Sequence, residues 1–309
     1  MAHAHPHGGR GSLADTLDAR RADTRRRLWI ALAINVAMLV AEAIGGVITG
    51  SLALLADAGH VLSDVGAIGL GLVAGGLASL PGGPRRTFGY QRTEVIAALV
   101  NGIALVVVAA LVVVTAVDRL GDSPEIEGVG VLALGVFGLA GNVAATWVLA
   151  RGQREDLNLE GVLRHSFADA LGSVGVIVSG TVILATGWDL IDPLVGLAIA
   201  ALIVASSVRL IAEPINVLME AAPTGLDAEA VARQMCELEH VRAVHDLHVW
   251  TLTAGFDALS AHVVVSPEAD RDLVRRRLEV MLRERYGIEH TTLQMEEEAP
   301  PELLDVEGS

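Results

Sequence analysis

Lysine is absent from this chain: all 22 of its basic residues are arginine. Aromatic residues make up only 3% of it, and Cys236 is its one cysteine. A single thiol excludes an intramolecular disulfide and any zinc site built from several thiolates. Positive charge is scarce toward the C-terminus, where 20 acidic residues from Ala212 onward face 8 arginines. So acidic a segment repels phosphate backbones, so no nucleic acid partner is expected, whereas divalent cations suit it. The H-E-x-x-H pattern of zinc hydrolases does not occur.

Long apolar runs are what the chain has instead. Hydrophobic residues make up 52% of it, concentrated in six spans at about 28–49, 52–78, 92–117, 126–150, 159–186 and 190–211. Roughly 20 apolar residues suffice to cross a bilayer, and a crossing segment satisfies its backbone polar groups by being helical. No cleavage pattern follows the first run, so it reads as a retained span. Arg20, Arg21, Arg25, Arg26 and Arg27 precede the first span, Arg85, Arg86 and Arg92 lie between the second and third, and Arg151 and Arg154 between the fourth and fifth. The alternate loops carry little positive charge, which puts both termini in the cytoplasm. With a composition typical of high-GC bacterial genomes, a multi-pass protein of the bacterial cytoplasmic (inner) membrane is expected. The expected organisation is a disordered His/Arg-containing tail at 1–27, a transmembrane domain at 28–211, a cytoplasmic domain at 212–297 and a flexible acidic tail at 298–309.

After Pro214 the pattern becomes that of a small soluble domain. Leu226 to Glu239 reads as an amphipathic helix with Asp227 as N-cap. Ala243 to Thr253 and Ala258 to Ser266 read as strands around a turn at Gly255, Pro267 to Tyr286 as a helix stopped by Gly287, and His290 to Glu296 as a last strand. The order αββαβ predicts a ferredoxin-like α+β domain, a sheet with its helices on one side. Strand alternation over Ala243 to Thr253 would put His245, Leu247 and Val249 on one face and Asp246, His248 and Trp250 on the other.

The chemistry sits in the histidines. His60 and Asp64 in HVLSD, and His165 and Asp169 in HSFAD, repeat one i, i+4 step inside two apolar spans. Residues four apart share a helix face, so two such faces meeting would present two imidazoles and two carboxylates, a tetrahedral set suited to Zn²⁺. Ionisable groups in hydrocarbon are costly unless paired or ligated, which makes these four residues a functional site by default. The ligand types favour Zn²⁺, Co²⁺ or Cd²⁺ over Cu(I). Histidine must be neutral to bind metal, so proton–metal exchange follows from the same chemistry. Asp57, one turn before His60, is either a proton or access-path residue or a helix-end polar contact near Ser51. Asn35 and Glu42 are further polar groups of the first span, Asn35 suited to an interhelical hydrogen bond and Glu42 to proton exchange.

The segments DAGHVLSD and HSFADALGS on the second and fifth of six spans, with TFGYQRTEVIAALVNG (Thr87 to Gly102) and HDLHVWTLT (His245 to Thr253), resemble the cation diffusion facilitator family from about Leu28 to Glu296. The resemblance implies a homodimer that exports Zn²⁺ from the cytoplasm in exchange for protons by alternating access, with Cd²⁺ or Co²⁺ tolerated. It places the transport site on His60, Asp64, His165 and Asp169, the ligand combination associated with zinc. It also assigns His245, His262 and Glu296 to a regulatory zinc site in the cytoplasmic domain, and His290 to a ligand position used by some relatives. Zn²⁺ is thus both cargo and regulatory ligand, and no organic cofactor is implied. The chain departs from some members at Gln294, where a histidine would complete a binuclear site. LPGGPRRTFGYQR, between the second and third spans, holds no Asp or His ligand, so no metal site is expected there. RGQREDLNLE likewise lacks the histidine-rich loop of some zinc-type members. His3, His5 and His7 form either a weak metal collector or a plain disordered tail, and His240 and His248 read as solvated. The competing readings are a membrane metal sensor that moves no ions and a membrane-embedded metalloenzyme.

Overall fold

The computed structural model describes residues 10–78, 80–121, 124–150, 159–253 and 255–297, with side chains outside 10–25 and 159–166. Six long helices come first: α1 (Arg10–Thr49), α2 (Leu52–Ala78), α3 (Thr93–Gly121), α4 (Gly128–Ala150), α5 (Leu159–Thr186) and α6 (Ile191–Leu218). All six are long and apolar enough to cross a membrane. Two differences from the sequence reading stand out. Helix α1 begins at Arg10, so residues 10–27, expected to be disordered, continue the first span as helix; beyond Gly11 the segment contains no glycine or proline to break it. Helix α6 runs through Pro214 to Leu218 instead of ending near residue 211. Proline forfeits one backbone hydrogen bond, but its fixed φ is helical and the loss falls in the helix's last turns.

The chain divides into two compact units, residues 1–73 with 97–211 and residues 74–96 with 212–309. In the first, the core joins Leu52 and Leu54 of α2, Leu105 and Val112 of α3, Val131 of α4, Val176 of α5 and Ile199 and Ile203 of α6. Its outside is apolar too: Val47, Ile48 and Leu111 are more than 60% exposed. An apolar exterior on helices of this length suits hydrocarbon as solvent. The start of α2 is fixed from a distance. Ser51 caps it, its Oγ accepting from Leu54 N at 3.1 Å, while the fully buried Asp192 of α6 accepts from Ser51 Oγ and Leu52 N, both at 2.5 Å, and from Ala53 N at 3.3 Å. Ser179 of α5 donates to the same carboxylate at 3.2 Å. Three otherwise orphaned groups of a helix N-terminus are thereby satisfied.

The second unit carries α7 (Ala228–Cys236), β1 (Val241–Thr253), β2 (Phe256–Val265), α8 (Arg271–Tyr286) and β3 (His290–Glu296). The order is αββαβ, as the sequence pattern predicts. Asp227 caps α7 and Asp270 caps α8, which ends at Gly287 in the left-handed region. The sheet order is β1-β2-β3, with β1 antiparallel and β3 parallel to β2. Val249, Leu259, Ala261 and Val263 line one face and pack with Val231, Met235, Val274, Leu278 and Leu282 of the two helices.

A bulge overturns the expected alternation of β1. His245 pairs with His262 and His248 with Ser260, so three steps on β1 match two on β2. Asp246 takes up the extra residue with a left-handed φ of 50°, a conformation aspartate tolerates better than most residues. The phase reverses there. His245, His248 and Trp250 share the face opposite the helices, while Val249 turns into the core.

Candidate functional site

In the first unit, α2 carries His60 and Asp64 one turn apart and α5 carries Asp169. The two helices meet at this level, with His60 Nε2 and Asp169 Oδ1 2.8 Å apart. One ligand atom each of His60, Asp64 and Asp169 lies within 4.8 Å of the others. Asp169 is buried and the His60 side chain is only 12% exposed, so little water competes for them. His165 lies on α5 one turn before Asp169, but its side chain is outside the described residues, as are His3, His5 and His7. The arrangement can hold a divalent cation on one imidazole and two carboxylates.

Behind these ligands lies a polar layer that sequence reasoning largely missed. Asn142 of α4 donates through Nδ2 to Ser173 Oγ at 3.1 Å and to the Asp169 carbonyl at 3.4 Å. Ser173 Oγ in turn donates to Asp57 Oδ2 at 3.1 Å. Asp57 therefore faces α5 and not Ser51, whose partner is Asp192. Asn101 of α3 donates to Ser63 Oγ at 2.9 Å, bracing α2 from its other side. The available signal was simply a buried-type polar residue, Asn142 or Asp192, standing alone in an apolar run.

The second unit gathers a second cluster on the outer face of the sheet. Glu296 Oε1 lies 2.7 Å from His262 Nδ1 and its Oε2 3.0 Å from His245 Nε2. The two rings are 5.1 Å apart, and the three residues form a metal-sized group. The His262 hydrogen bond, helped by those from His245 and Gln294, holds the Glu296 carboxyl below the usual carboxylate range against the desolvation that raises it. Gln294 donates to Glu296 Oε1 at 2.8 Å. His248 lies 3.1 Å from Asp246, whose other oxygen is 3.8 Å from His262 Nε2.

His290 is not brought to that cluster. It occupies the same sheet face, paired with Ala258, four residues along β2 from His262. At ~3.3 Å per residue this is about 13 Å. Its ring packs instead against Phe88 at 5.5 Å and Phe256 at 5.9 Å between centroids. A cavity of about 890 Å³ in this unit, lined among others by Arg85, Arg86, Arg92, His248 and Trp250, contains none of the clustered ligands.

Sequence profiles for the cation efflux transmembrane domain and for the cation efflux protein cytoplasmic domain match residues 28–219 and 223–298. The zinc transporter ZitB of Escherichia coli K12 is 38% identical over 298 residues, covering 96% of this chain and 93% of its own length. A cadmium, cobalt and zinc/H⁺-K⁺ antiporter of Bacillus velezensis is 35% identical, covering 96% of this chain and 92% of its own. The metal cation efflux system protein CzcD of Cupriavidus metallidurans is 37% identical, covering 98% and 92%. A solved structure of the metal-bound C-terminal domain of that transporter is 35% identical, covers 23% of this chain and 99% of its own, and has a TM-score of 0.22. Six apolar helices, an αββαβ domain after them and profile matches over both parts lead to one conclusion: the chain belongs to the cation diffusion facilitator family of cation-efflux transporters.

Proposed function

We propose that the chain is a proton-coupled Zn²⁺ antiporter of the bacterial cytoplasmic membrane, accepting Cd²⁺ or Co²⁺ less selectively. The observation that carries this reading is the meeting of His60, Asp64 and Asp169 between two apolar helices. His165 completes a His₂Asp₂ set from the next turn of α5. Relatives named for zinc, cadmium and cobalt transport support the choice of cargo. Metal enters from the cytoplasm, releases protons from the ligands as it binds, and leaves on the far side when protons return to the imidazoles and carboxylates. Alternating access to this site near the middle of the bilayer, in a homodimer with both termini cytoplasmic, completes the cycle.

His245, His262 and Glu296 serve in this reading as the regulatory Zn²⁺ site. Three ligands leave a fourth position for water, and binding shifts the population toward a transport-competent state. His290, about 13 Å along the sheet, is left out of the proposed site. The test is zinc uptake into sealed proteoliposomes with an imposed pH gradient. Uptake that follows the gradient and collapses with it is the expected result. Correctly inserted protein that binds zinc without moving it would make the chain a sensor and overturn the proposal.

A further inference from the structure

Glu42 of α1 is wholly buried, and neither of its carboxyl oxygens has a hydrogen-bond partner among the described residues. Its surroundings are built to hold a carboxyl group. On α4, a Cβ at Gly138 would collide with Glu42 Oε1, and the Ser173 hydroxyl of α5 lies beside the same point. The titratable group that acts on Glu42 is Asp57 of α2, 1% exposed, whose own space is made by Gly172 of α5. Two glycines thus make room for two carboxyls, of which Asp57 is linked through Ser173 and Asn142 to the backbone of Asp169. His60, Asp64 and Asp169 act on Asp57 in turn, and among the described residues no arginine acts on either carboxyl. An ionised, unpartnered carboxylate in such a place costs several kcal/mol, whereas a protonated one carries no charge to bury.

We infer that Glu42 is a proton station distinct from the metal ligands, loading and unloading one proton in each transport cycle with Asp57 as its partner. The inference rests on the reading of the chain as an exchanger and names where part of the exchange occurs. A proton fits better than a larger cation, because a carboxyl pair and one hydroxyl supply fewer oxygens than the six or more that a hard metal ion takes. The proton moves without any bond change other than O–H: it leaves Glu42 for Asp57 or water, and one from the opposite side replaces it.

The experiment counts protons moved per zinc by the full chain in liposomes loaded with a pH-sensitive dye, comparing wild type with Glu42→Gln. Glutamine mimics the protonated form permanently. Expected are zinc binding retained in detergent, a proton count lower by one per zinc, and a flatter dependence of flux on pH. An unchanged count and pH profile would overturn the inference, and so would a new dependence on potassium. A wild-type chain that moves no zinc would instead sink the exchanger reading itself. Infrared spectroscopy guards against a misfolded variant. The protonated-carboxyl band of the wild type should shift in Gly138→Ala, whose methyl group meets Glu42; a band unmoved by that change would also overturn the inference.

Discussion

At the scale of single residues, the two clusters present the same donor types in different surroundings. His60 and Asp169 meet across 2.8 Å in a buried setting, while His245, His262 and Glu296 are half-buried on a sheet face. Both histidines of the second cluster must be neutral to hold metal, so protons compete with the ion for their ring nitrogens. The Glu296 carboxyl, held below the usual carboxylate range, gives up its charge only in stronger acid. Acid should therefore release metal from this cluster through the histidines first, with affinity falling as pH falls. Zinc titrations of the full chain at several pH values, in a variant lacking Asp64 and Asp169, check this; release following a carboxylate titration would refute it. The same hydrogen bonds stabilise the metal-free fold at pH above the ordinary glutamate value of ~4.3, and that contribution is lost as pH falls through the lowered value.

At the scale of elements, most of the architecture was legible and its departures have physical causes. The i, i+4 steps at His60–Asp64 and His165–Asp169 followed from helical geometry alone. Strand β3, His290–Glu296, and the caps at Asp227 and Asp270 carry local sequence signals. What was not legible depends on pairing. The bulge at Asp246 reverses the face of every residue before it relative to those after, and period-two reasoning has no means of seeing an extra residue. That single residue explains why His245 lies with His248 and not with Val249. Asp192 is the other case, since its partners at Ser51 and Leu52 are about 140 residues away in sequence. Replacing Asp192 by alanine strips the acceptor from two hydroxyls and two backbone N–H groups. A loss of about 2–4 kcal/mol is expected, given ~1–3 kcal/mol for each buried donor left unsatisfied and partial relaxation. Thermal unfolding of the detergent-solubilised protein measures it, and a variant as stable as wild type would show that the network does not anchor α2.

At the scale of the whole molecule, two units of one polypeptide each gather a His/carboxylate group that could hold a metal ion. The first buries its polar groups inside apolar helices, where each must be paired, ligated or protonated. The second carries its acids on a small α+β domain, where the proposed regulatory ion would bind without being transported. This division predicts different outcomes from ligand loss in the two places. In the proposed cycle His60, Asp64, His165 and Asp169 carry the ion while His245, His262 and Glu296 only regulate it. Zinc flux into proteoliposomes under one imposed pH gradient, comparing Asp64→Ala, Asp169→Ala and His245→Ala, separates these roles. Flux should vanish in the first two variants, with zinc affinity of the intramembrane site down by more than the ~10–100-fold typical of outer-sphere changes. In His245→Ala, transport should persist and need more cytoplasmic zinc for activation. Equal and modest losses in all three would contradict the assignment.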